Sequence, residues 1–127
     1  MAGTAQSSDG LAAAVRELAA AETVAFAGVG FAGQLLPVTE AYLAVEAALP
    51  HRVEELQPRL AWLLAHGSPA GRAYAATLLS RFDPAAGRAA WESLTRDHSE
   101  FTTAHGCLRH RVSLAEYAVR QLTAGTP

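Results

Sequence analysis

The chain has 127 residues, 50 % of them apolar, 17 % charged and 7 % aromatic, with a net charge of −2. That length suits one compact domain, and that composition excludes a disordered or collagen-like chain. The near-neutral charge excludes a general electrostatic pull toward nucleic acid or an anionic membrane.

There are 29 Ala and 16 Leu but no Ile, Lys or Asn, so all ten basic residues are Arg. Ala and Leu are strong helix formers and β-branched residues are few, which predicts an all-α domain. Residues 1–58 carry two Arg against seven acids, and 59–127 carry eight Arg against five, so the second half is the basic one. Cys107 is the only cysteine, so no internal disulfide forms and a reducing compartment is the simplest setting. Residues 1–10 lack the basic and apolar regions of a secretory signal. The longest uncharged run, between Glu22 and Glu40, is broken by Gly28, Gly30, Gly33 and Pro37 and does not read as a membrane span. These features predict a cytoplasmic protein.

Residues 1–8 read as a disordered polar tail. Asp9 is placed to cap a first helix of about 10–27, whose Leu11, Val15 and Leu18 form an apolar stripe. The span 9–27 would cap the rest of the fold, and the glycines from 28 to 33 end it. A second helix is predicted from Val38 to Leu49, closed by Pro50. Pro58 then allows either a short helix at 51–56 before one at 57–66, or a single kinked helix. Ser68-Pro69 and Asp83-Pro84 each place a capping side chain before a proline suited to the first helical turn, which predicts helices at 69–81 and 84–96. Asp97-His98-Ser99-Glu100 and Ser113-Leu114-Ala115-Glu116 resemble capping boxes and predict helices at 98–108 and 113–123. Connections this short predict neighbouring helices packed as antiparallel hairpins.

A repeat of 29 residues runs through these elements. Arg59-Leu60-Ala61-Trp62 matches Arg88-Ala89-Ala90-Trp91 at that shift, and a second shift brings Ala89 to Ala118 and Ala90 to Val119. Three helical-hairpin units would then cover 38–124, the pattern of a stacked α-solenoid. The run Arg72-Ala73-Tyr74-Ala75-Ala76-Thr77-Leu78-Leu79-Ser80-Arg81-Phe82-Asp83-Pro84, followed by Leu94 and Asp97, resembles the short HEAT-like repeat of phycobilin lyases and many bacterial proteins. In that pattern an Arg opens the first helix, Ala and Leu pack it, and an Asp-Pro turn starts the second. The resemblance covers one unit well, its neighbours weakly and residues 1–37 not at all, with a turn one residue short. It implies a short right-handed α-solenoid used as a protein-binding scaffold, and it supplies no catalytic residue or cofactor. The alternative architecture is an irregular bundle of six or seven helices.

Few residues are arranged for chemistry. Gly28-Val29-Gly30-Phe31-Ala32-Gly33 matches the dinucleotide-binding G-x-G-x-x-G string, but Pro37 falls where its helix should run and no βαβ alternation follows. It reads as a loop. His98, His105, Cys107 and His110 are potential zinc ligands whose spacing does not fit the usual paired sets, so no metal site is predicted. Ser68 reads as a helix cap and Cys107 as a small core residue rather than as nucleophiles.

The Arg59/Trp62 and Arg88/Trp91 pairs stand out instead, each with Arg one turn before Trp. Arg and Trp are the side chains most enriched at binding hot spots. With Arg109, His110 and Arg111 they form the candidate partner-binding set. The expected function is non-enzymatic: an adaptor or specific inhibitor bound to another protein or to a second copy. The alternative, a nucleic-acid-binding or base-processing HEAT-like protein using the Arg-rich second half, is opposed by the lack of Lys and the acidic pI.

Overall fold

The computed structural model describes residues 8–28, 33 and 35–124. Their elements are α1 Ser8–Ala19, β1 Thr23–Val24, α2 Pro37–Ala48, α3 Val53–His66, α4 Pro69–Phe82, α5 Pro84–Leu94, β2 Glu100–His105, β3 Leu108–Ser113 and α6 Leu114–Ala124. The protein is thus mostly helical, with a small sheet of order β1-β2-β3 that an all-α reading does not contain. The tail at 1–7 and most of the glycine string (29–32) lie outside the described residues, and α2 opens at Pro37, beyond that string.

Three helix starts follow from side chains that accept otherwise orphaned backbone N–H groups. Ser68 Oγ accepts from Gly71 at 3.0 Å, Asp83 from Ala85 at 3.0 Å, and Ser113 Oγ from Glu116 at 3.1 Å. Pro69 and Pro84 each stand in the first turn, where a missing N–H costs nothing. Pro58 lies inside α3, which runs as one helix from Val53 to His66. Asp9 falls within the first turn of α1 rather than before it.

The first helix stops at Ala19, well short of 27. Its end is received by the start of α4: Ser68 donates its backbone N–H to Ala19 O at 2.9 Å and its hydroxyl to Ala21 O at 2.6 Å. Gly71 permits this approach, since a Cβ there would lie 2.4 Å from Leu18 O. The chain then extends as β1, anchored by the fully buried Tyr74. The Tyr74 hydroxyl donates to Ala25 O at 3.0 Å and accepts from Ala25 N–H at 2.8 Å, while Thr39 Oγ1 donates to the same carbonyl at 2.8 Å.

Residues 98–108, expected as a helix, form most of a β-hairpin. Asp97 does not cap a helix: one carboxylate oxygen accepts from Ser99 N–H at 2.9 Å in a local turn, and the other pairs with Arg72 at the start of α4. Phe101, Thr102, Thr103 and Val112 favour extended backbone. β2 and β3 pair antiparallel from Glu100↔Ser113 to His105↔Leu108, and β1 joins β2 in parallel at Thr23↔Thr102 and Val24↔Thr103. Gly106 has a φ of 59° and Cys107 does not share that sign, the pattern of a two-residue type II′ turn. Phe101 and Val112 face the core, Phe101 meeting the Tyr117 ring edge-on at 5.3 Å.

Helix α4 lies at the centre, in contact with α1, α2, α3, α5, α6, β1 and β2. Its small side chains allow this, with Ala70, Gly71, Ala73, Ala75 and Ala76 all buried. Helices α4 and α5 pack closely, as a hairpin reading predicts, but α2 packs chiefly on α1, which also contacts α3. The first expected unit, α2 with α3, is therefore not a closed hairpin, and the third has β2–β3 in place of its first helix.

Burial also resets the phase of the repeat. The buried Leu56, Leu60 and Leu63 of α3 correspond to the buried Gly87, Trp91 and Leu94 of α5, each 31 residues on. The sequence match at 29 is two residues out of this register, which is about 200° around a helix.

Candidate functional site

That phase difference separates the two tryptophans. Trp62 is 48 % exposed on α3, whereas Trp91 is 5 % exposed on α5 and packs on Tyr117 at 5.6 Å. The predicted side-by-side ladder does not form. The equivalent of Trp91 in α3 is Leu60, a core position, while Trp62 points away from the core.

Trp62 lines a groove of about 350 Å³ with Arg59 and Pro58 from its own helix and Ala12, Val15 and Arg16 from α1. Its indole also lies 5.6 Å from the His66 ring at 38°. Glu55 stands one turn earlier, 4.0 Å from Arg59 Nε. The site is thus a half-exposed indole on an apolar floor, walled by two guanidinium groups. Sequence reasoning found Arg59 and Trp62 but missed Arg16, Ala12 and Val15. Nothing in a linear pattern says that α1 lies beside α3.

Arg88 is exposed and paired with Glu92 at 3.6 Å. With the edge of Trp91 it borders a separate groove of about 590 Å³ between α5 and α6, alongside Pro84, Ala85 and Gln121. Arg109, His110 and Arg111 fall on β3, where all three are exposed. Arg111 reaches Glu100 at 3.6 Å and Thr102 Oγ1 at 3.3 Å on β2. The seven candidate residues therefore occupy three surfaces.

The other chemistry-bearing residues do not converge on one site. Ser68 uses its hydroxyl twice, as cap and as donor to Ala21 O. Cys107 is exposed in the hairpin turn, not packed in a core. His105 and His110 stand on β2 and β3. Among the described residues, no group of three or more His, Cys, Asp or Glu side chains could hold a metal ion.

Burial pushes the Tyr42 phenol up to about 12, with a 2.9 Å hydrogen bond to Glu46 adding to the effect. Burial likewise raises Tyr74 to about 12, and raises Tyr117. Asp97 is held below the usual carboxylate range, first by the Ser99 N–H and then by Arg72. These groups are driven away from proton exchange near neutral pH, the reverse of what a general acid or base needs.

No protein-family model, no curated protein and no solved structure matches the chain.

Proposed function

We propose that this protein is a non-enzymatic binding module, an adaptor or specific inhibitor, that holds a partner protein at the Trp62 groove. The observation that carries the reading is the 48 % exposure of Trp62 between Arg16 and Arg59. A large indole left half in water gains by burial against a partner, and the flanking Arg16 selects an acidic side chain at its rim. The partner segment is accordingly apolar at its centre and acidic beside it. The ion pairing of the Arg residues also supports a protein partner over nucleic acid. Arg52, Arg59, Arg72, Arg81, Arg88, Arg111 and Arg120 each stand within 4.0 Å of a carboxylate, which leaves little of the dense free positive charge that phosphate contacts need.

The fold half of the proposal is a HEAT-like core at α4–α5, with α1, α2, the sheet and α6 built around it rather than a full solenoid. The Asp83-Pro84 junction and the tie from Arg72 to Asp97 support it.

Affinity purification from the source cells with wild-type protein and Trp62→Ala tests the function. The expectation is a stoichiometric protein retained by the wild type and lost from the variant, whose melting temperature stays close to the wild type. A retained protein indifferent to Trp62→Ala, or no retained protein, overturns the reading.

A further inference from the structure

Strand β3 is an edge of the sheet, and its outward-facing backbone groups follow from the pairing. Thr102 donates its N–H to Glu22 O at 3.1 Å, on the β1 side of β2. Its cross-strand partner Arg111 therefore belongs to a non-hydrogen-bonded pair, whose N–H and C=O turn away from β2. The alternation gives the same orientation to Arg109, opposite Ala104, and the opposite one to His110, whose carbonyl accepts from Thr103 Oγ1 at 3.4 Å. No partner for the outward groups of Arg109 and Arg111 is found among the described residues. Leu108, Arg109, His110 and Arg111 are all exposed, Leu108 to 60 %.

Resting on the reading of this chain as a partner-binding protein, we infer that β3 is a second contact, which takes an extended segment of the partner as an added strand with acidic and apolar residues in alternation. Such addition satisfies main-chain groups and leaves specificity to alternate side chains. Arg109 and Arg111 share one face of β3; Arg111 already has Glu100 of β2 at 3.6 Å, so it is Arg109 that calls for a carboxylate opposite it. Leu108 and His110 share the other, where an exposed leucine calls for apolar neighbours. A second copy of this chain is the disfavoured occupant. Two β3 edges paired antiparallel set Arg109 or Arg111 against Arg or Ser of the other copy, and like charges directly opposite are destabilising.

The probe is a synthetic, roughly ten-residue peptide of alternating Glu and Val, compared with one of alternating Lys and Val. Binding is read by fluorescence anisotropy and by amide exchange at Arg109 and Arg111. The acidic peptide is expected to bind about tenfold or more tightly than the basic one and to slow exchange at both amides. Arg109→Pro and Arg111→Pro each remove an outward N–H together with one guanidinium, but no β2–β3 hydrogen bond, so they should abolish binding while the hairpin persists. Should either fail to fold, the double variant Arg109→Glu with Arg111→Glu is expected to reverse the preference between peptides. Equal binding of the two peptides, unchanged exchange, or binding that survives the prolines overturns the inference. So does a dimer in sedimentation that Arg111→Pro dissociates, which would assign the edge to a second copy. A native partner lost on Trp62→Ala but retained by both proline variants overturns strand addition alone and leaves the Trp62 reading standing.

Discussion

Tyr74 fixes the backbone of Ala25 with one hydroxyl, acting as donor and acceptor within a site sealed from water. Thr39 also serves the Ala25 carbonyl, so only the N–H depends wholly on Tyr74. Tyr74→Phe should therefore destabilise the fold by about 1–3 kcal/mol, the cost of one buried, unsatisfied donor. Urea unfolding measures this, and a loss below about 0.5 kcal/mol would show that Ala25 finds another partner. Asp97 makes a second residue-scale prediction. Its folded pKa lies below the unfolded value, so its contribution is present above the unfolded value of about 3.9 and is lost as pH falls through the folded one. Asp97→Asn should flatten the acid limb of the stability curve, and an unchanged limb would place that loss elsewhere.

At the scale of elements, a two-residue phase difference decides which tryptophan packs and which is displayed. Trp91→Ala should cost about 3–5 kcal/mol through a cavity between α5 and Tyr117. Trp62→Ala should stay within about 1 kcal/mol of the wild type, since its indole is half in water. Parallel melting curves distinguish the two, and equal losses would mean that Trp62 also stabilises α1 against α3. The β-hairpin shows where element prediction failed and what signal was available. The apparent capping box at Asp97–Glu100 outweighed Phe101-Thr102-Thr103, the two-residue period of Leu108, His110 and Val112, and a Gly-Cys turn. Asp97 fits either motif locally, and its pairing with Arg72, distant in sequence, accompanies the turn.

The whole molecule is organised about α4, and its buried aromatic groups give it an alkaline limit. Tyr42, Tyr74 and Tyr117 all have raised phenol pKa values, chiefly from burial. A raised folded value means stability that is complete below the unfolded pKa of about 10 and is lost as pH rises above it. Unfolding in urea should become easier above that pH, with phenolate absorbance appearing together with loss of helical circular dichroism. Phenolate formation near pH 10 in protein that remains folded would show these rings to be wetter than their packing indicates.

Local chemistry written into the sequence determined the helical class, the starts of α4, α5 and α6, and the two tryptophans that merited attention. Caps, prolines and Ala/Leu content act within a turn or two, so adjacent residues suffice to state them. The end of α1 at Ala19, the course of β1, the enclosure of α4 and the separation of Trp62 from Trp91 were decided only by tertiary structure. Each depends on groups far apart in the chain: Ser68 receiving Ala19, Tyr74 holding Ala25, Arg72 holding Asp97, and α1 lying beside α3. Burial sets the register of a helix against its neighbours, and a repeated string of letters does not contain those neighbours.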